Sequence, residues 1–412
     1  MFITKIKLGF LFCNSYAISY MKYQQSSLKS LTKGCCWVIG LTIIYVFTLS
    51  KTKTSFEVYS SLPFFIVFYF FFFTIGDPGV IPLSRKWLLG KAQRAILFPL
   101  LLLCLYAIYL VINGQNPFDN LLALFPFFLF FPVLAFSSSR NLDKINWFDF
   151  FVFTLFLLPT TLINIQPKGE LPFHGDSFDS IYRISIMLVA VFAFGVVRKI
   201  DDIGFYPEVN FNKLWTAVWV WLAFYAFVLA IGLSVDFVRI VGHKDNIAEL
   251  SGKILFALIT GFLHTAVFEE LFFRGLLQNI LAKRIAQGKS FKVFLFVAFA
   301  ILFPLALVVG YTLKGGMQWF PALVTLLIFA AAWSIETRSF AGMGVYTSLA
   351  ITSILFGLVH YHAGSIVYIG FACIAGWGYG YVYIKTKNVF YCALTHALVN
   401  ASALIFGLSL VK

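Results

Sequence analysis

Three charged side chains stand where lipid would be expected. Glu269, Glu270 and Arg274 lie in the run FEELFFRGLLQ at 268–278, inside an otherwise apolar block. A charged residue at the centre of a membrane helix costs roughly 2.5–3.5 kcal/mol on insertion scales, so such residues face an interior and mark function by default. On a helix, positions four apart face the same way, which spaces Glu270 and Arg274 to pair and sends Glu269 elsewhere. One carboxylate is enough to neutralise Arg274. The structural alternative is that both glutamates do so; the functional one leaves Glu269 for chemistry. Four of the six histidines, His264, His360, His362 and His396, also lie within or beside apolar blocks. Phe356 precedes His360 by one helical turn and Asn400 follows His396 by one turn, each pair on a single helix face. A lone intramembrane histidine is usually a hydrogen-bonded packing residue, and His264, with no such partner, reads that way; His362, at a span end, reads as an accessory group. A glutamate, two histidines and an asparagine on three spans are different. Converging on one cavity, they satisfy one another and form a catalytic constellation. Glu269, His360 and His396 also make up a His2Glu set of the kind that binds catalytic zinc, although HExxH is absent and Asn400 would then have no role.

The elements that must hold these residues are membrane helices. Of 412 residues, 60% are hydrophobic and 12% charged, against roughly a quarter charged in soluble domains. The apolar residues fall in blocks of the length that a hydrocarbon layer about 30 Å thick demands. Candidate spans lie near 35–50, 62–76, 96–113, 121–137, 147–165, 184–197, 214–235, 254–282, 292–312, 321–335, 345–361, 365–384 and 389–410, giving an all-α polytopic bundle of about 12–13 spans. The span at 321–335, ending near Trp333 and Glu336, has re-entrant or interfacial character as its alternative. Residues 1–33 form a basic leader, 34–250 a Phe-rich transmembrane region without an assigned role, and 251–412 the region carrying the intramembrane polar chemistry. The net charge of +14 is spread between apolar blocks rather than along one basic face, which argues for a bilayer partner and against nucleic acid. Lys and Arg are in excess in the loops on the N-terminal side, placing the N-terminus in the cytoplasm. The six cysteines show neither disulfide-framework nor zinc-site spacing.

With FEELFFRGLLQ at 268–278, SILFGLVHYH at 353–362 and KTKNVFYCALTHALVNA at 385–401, the chain from about 254 to 410 resembles the CPBP family of intramembrane peptidases. That group includes the CAAX prenyl endopeptidases and lysostaphin resistance protein A-like proteins, and its pattern is Glu-Glu-x-x-x-Arg, then Phe-x-x-x-His, then His-x-x-x-Asn. The resemblance implies an intramembrane endopeptidase acting on a membrane-associated protein or peptide, CAAX-like or other. It makes Glu269 the general base on water, helped by His360, with His396 and Asn400 donating to the oxyanion. Glu270, Arg274 and Phe356 would support them. Neutral imidazole and carboxamide donors suit that role without adding net charge. No cofactor is expected, with zinc on Glu269, His360 and His396 as the alternative. The chain departs from the pattern in the 81 residues from Gly275 to Leu355, which hold two extra apolar blocks. Two other classes stay open: a non-catalytic scaffold or immunity protein of the same family, and a proton-coupled transporter using the same carboxylates and histidines as a relay.

Overall fold

Apolar runs in this chain have one way to satisfy their backbone in lipid, which is to close every hydrogen bond within the segment as a helix. The structure, a computed structural model, describes residues 26–47, 55–89, 91–119, 131–138, 144–157, 181–288, 290–313, 316–338 and 343–410. The helices are α1 (Ser26–Phe47), α2 (Ser55–Thr74), α3 (Ile81–Leu88), α4 (Leu97–Ile112), α5 (Phe131–Ser138), α6 (Trp147–Leu155) and α7 (Ile181–Val191), which runs on as a π-helical turn to Val197. They continue with α8 (Phe211–Ser234), α9 (Ile247–Gly288), α10 (Phe291–Thr312), α11 (Phe320–Arg338), α12 (Val345–Val359), α13 (Ile366–Thr386) and α14 (Val389–Ile405). Among the described residues, seven helices are long and apolar enough to cross a membrane, and three shorter apolar ones accompany them. The chain is an all-α, multi-pass integral membrane protein.

Each expected span has a helix. The fourth appears only as α5 and the fifth only as α6, because 120–130 and 158–180 lie outside the described residues. Residues 1–25 of the expected leader also lie outside them, and α1 starts at Ser26, within that stretch. The span around 321–335 is a regular 19-residue helix, α11, with Glu336 buried near its end.

Two short strands complete the description: β1 (Val238–Ile240) pairs antiparallel with β2 (Leu408–Leu410), tying the end of α8 to the end of α14. The opposite end of the bundle is held by polar links from helices α1, α3 and α9 to the loops at Gly79 and Asp201. Ser27 Oγ donates to the Gly79 carbonyl at 2.8 Å, Arg85 pairs with Asp201 at 2.9 Å, and Lys283 Nζ reaches the Asp201 carbonyl at 2.8 Å.

The core is shared along the chain. One buried cluster joins Tyr45, Phe68, Phe72 and Phe194 of the N-terminal region to Val267, Leu271 and Leu276 of α9 and to Val389 of α14. A second joins the extra helices α10 and α11 to α12 and α13. Helices α12 and α13 cross closely because Gly357 meets the Cys373 backbone and thiol; any Cβ there would overlap them.

Candidate active site

Helix α9 is irregular where its charges sit. Its turns over Gly261–Ala266 and Leu271–Gln278 are π-helical, and only Val267–Glu270 between them is α-helical. Such widened turns are frequent at functional sites, since an extra residue per turn re-aims the side chains that follow.

Glu270 and Arg274 are both fully buried, and Arg274 Nε donates to Glu270 Oε2 at 3.1 Å. This is the pairing that the four-residue spacing implies. Arg274 Nη1 donates to Thr352 Oγ1 of α12 at 3.3 Å, and the guanidinium lies 5.3 Å from the Phe356 ring centre, a cation–π distance. The second Glu270 oxygen, Oε1, bonds His396 Nδ1 of α14 at 3.0 Å. Glu270 therefore ties three motif helices together through one carboxylate, two helices by hydrogen bond and the third through Arg274. Having Arg274 on one oxygen, it acts as an acceptor toward His396, so Nδ1 carries the proton in that bond.

Phe356 is the aromatic hub. Its ring packs edge-on to His396 at 5.7 Å, to Tyr379 at 5.7 Å and to Phe273 at 5.2 Å, and it lies 4.8 Å from the His360 ring. His360 sits at the end of α12, with Nδ1 2.7 Å from the Phe356 carbonyl. A carbonyl only accepts, so this Nδ1 is protonated and a neutral His360 keeps its lone pair on Nε2. His362 is exposed, stacked 5.8 Å from His360.

His360, His396 and Asn400 all line one cavity of about 330 Å3, together with Tyr368, Tyr379 and a wall from α8 that includes Phe224 and Tyr225. Asn400 is exposed and His396 buried. Glu269 is not among the lining residues. It is half-buried, its Oε2 is enclosed, and among the described residues that oxygen has no hydrogen-bond partner. Tyr368 and Tyr379 border the cavity. His264 is not without company: Arg183 of α7 lies 3.1–3.2 Å from both of its ring nitrogens. Among the described residues, no group of three or more His, Cys, Asp or Glu side chains is arranged to hold a metal ion.

Several neighbours of the site carry no spacing signal in the sequence. Tyr379 stacks on His396 at 4.7 Å with a 12° angle between rings, and Tyr368 lies 5.8 Å from His360. Both come from α13, where tyrosines are common and nothing marks these two. Thr352 is one turn before Phe356, and a rule that Arg274 must have a second acceptor could have found it.

Fold and site together define a multi-pass membrane protein with a buried Glu–Arg–His array beside an interhelical cavity bordered by His360, His396, Asn400, Tyr368 and Tyr379. Residues 251–346 and 337–402 match the family model described as type II CAAX prenyl endopeptidase Rce1-like, a match that supports kinship of this C-terminal region with the CPBP/CAAX protease family, a family of peptide hydrolases. Searches of curated proteins and of solved structures each returned no match.

Proposed function

We propose that the chain is an intramembrane endopeptidase that hydrolyses a peptide bond in a membrane-associated substrate, using water activated by Glu269. The observation that carries this reading is the enclosed Glu269 Oε2, without a hydrogen-bond partner among the described residues, one residue before the carboxylate that holds His396. Glu270 is committed to Arg274 and His396; Glu269 is the carboxylate left to accept a proton.

Glu269 takes a proton from water as the oxygen attacks the carbonyl carbon, and later returns it to the leaving amine. His360 orients the water through Nε2, the nitrogen left after Nδ1 is given to the Phe356 carbonyl. Asn400 donates its amide N–H to the oxyanion. His396 needs a different protonation state from the neutral donor expected from sequence. With Nδ1–H bonded to Glu270, a neutral ring presents a lone pair from Nε2, so it donates to an oxyanion only as the imidazolium. Two carboxylates then balance Arg274 and that imidazolium, leaving the group without net charge in the membrane. The substrate class is a membrane-anchored peptide, prenylated or otherwise held in the bilayer.

The test is peptidase profiling of purified protein in lipid against membrane-anchored peptides. Glu269→Gln should lower kcat by about 100-fold to 10,000-fold while leaving KM close to wild type. Asn400→Ala should cost about 100-fold to 1,000-fold. Full activity in Glu269→Gln would remove Glu269 from the chemistry, and no cleavage by wild-type protein of any anchored peptide would favour the scaffold reading. Stoichiometric zinc, lost on substitution of Glu269, His360 or His396 but not of Asn400, would replace this mechanism with a metal-dependent one.

A further inference from the structure

Away from the candidate active site, α1 carries a stripe that changes character along its length. Lys29, Lys33, Trp37, Gly40 and Ile44 recur every three or four positions and so share one helix face. The lower part of that face, from Trp37 to Ile44, forms one wall of a cavity of about 550 Å3, within the roughly 300–1,000 Å3 of ligand pockets. Its other walls include Leu258 and Phe262 of α9 and Leu394 of α14, and the lining is almost wholly apolar. Trp37 also borders the adjoining cleft that contains Lys29 and Lys33. Both lysines are exposed, and neither is in an ion pair with a carboxylate among the described residues.

The nearby acids are already engaged. Glu208, on the rim of the apolar cavity, is paired with Lys213 at 2.7 Å, and Asp77, near the start of α1, accepts from the Gly79 N–H at 2.8 Å. From Lys29 to Ile44 the helix rises about 22 Å, close to one leaflet of a bilayer whose full thickness with headgroups is about 40–45 Å. Two cations one turn apart near the start of α1, a half-exposed tryptophan one turn further on and a hydrocarbon-lined slot beyond it match, in order, the parts of one lipid molecule.

We propose that this groove binds an anionic phospholipid, its phosphate at Lys29 and Lys33 and an acyl chain along Gly40 and Ile44 against α9. The bound chain would lie against the half of α9 that leads to Glu269, but the site is independent of the proposed chemistry and stands or falls without it.

Gly40 supplies a direct test, because a Cβ built there meets nothing within 4 Å. Gly40→Leu therefore starts its side chain in open space on the groove wall and occupies room that an acyl chain would use. Full-length protein is reconstituted in vesicles of phosphatidylcholine with a minor fraction of phosphatidylglycerol, extracted in mild detergent, and its retained lipids are counted by native mass spectrometry. A basic residue at an anionic surface contributes about fivefold, so two should give roughly a 25-fold preference for phosphatidylglycerol. The double variant Lys29→Gln, Lys33→Gln should retain lipid with that preference lost, and Gly40→Leu should retain neither lipid there. Helix content and elution volume unchanged from wild type establish that the variants are folded. Equal retention of both lipids by wild type, a preference surviving in the double lysine variant, or undiminished retention in Gly40→Leu would each overturn the proposal.

Discussion

Arg274 shows how a single side chain can be both legible and surprising. Its spacing to Glu270 gave the pair directly, and the two are hydrogen-bonded at zero exposure. What spacing could not give was the third member, His396, which lies 126 positions from Glu270 and bonds its other oxygen. Sequence distance carries no information about which of two adjacent carboxylates a distant imidazole will choose. The allocation goes with packing: the Phe356 ring contacts both Arg274 and His396, the two groups bonded to Glu270. Removing Arg274 leaves a buried carboxylate with only an imidazole for compensation, and breaking a buried pair from one side costs about 3–5 kcal/mol. Arg274→Ala should therefore lower the thermal midpoint in lipid and reduce the yield of monodisperse protein, while Glu269→Gln should do neither. Wild-type stability of Arg274→Ala would mean that Glu270 is not ionised in the folded protein.

Among the elements, α9 and α12 depart most from what periodicity describes. The apolar pattern of 254–282 predicts a span and nothing more, because a π-helical turn differs from an α-turn by one residue and leaves hydropathy unchanged. The start of α12 is set by a residue from the preceding helix. Glu336 Oε1 accepts from the Gly344 N–H at 2.5 Å, and Oε2 from the Tyr346 and Thr347 N–H groups at 2.8 Å each. Gly344 itself is in the left-handed region at φ 94°, where a side chain would be strained. A carboxylate at a helix N-terminus satisfies the orphan N–H groups and the positive end of the dipole. The inserted helix α11 thereby anchors the beginning of the helix whose other end bears His360. Hydrogen bonds to a charged group are worth about 1.5–3 kcal/mol each. Glu336→Ala should speed amide hydrogen exchange over 344–348 by at least tenfold and lower stability, with α14 protected as before. Unchanged exchange at those amides would show that α12 is held by its packing on α13 alone.

At the scale of the whole molecule, the helical fold and multi-pass character were plain from composition, and the three motifs pointed to the region that matches the Rce1-like model. The part played by the first 250 residues was not, because a Phe-rich span looks the same whether it faces lipid or another helix. The structure shows it facing the polar helices. Asn279 donates to the Asp201 carbonyl at 2.9 Å, Asn388 to the Tyr206 carbonyl at 3.0 Å, Tyr391 to the Glu208 carbonyl at 2.8 Å and Thr395 to the Ala217 carbonyl at 3.3 Å. The α8 wall of the cavity comes from the same region. If residues 251–412 were produced alone, their apolar surface would lose little by facing lipid tails, which are as apolar as the helices removed. Asn279 and Thr395 would each keep one acceptor within the fragment, the Gly275 and Tyr391 carbonyls, but Asn388 and Tyr391 would lose theirs, and unsatisfied groups in hydrocarbon cost several kcal/mol each. The fragment should therefore be isolated as aggregates of reduced helix content, and co-production of 1–250 as a separate chain should restore a monodisperse complex by size-exclusion chromatography. A monodisperse 251–412 fragment with the thermal midpoint of the full chain would show that these interregional hydrogen bonds contribute nothing to its fold.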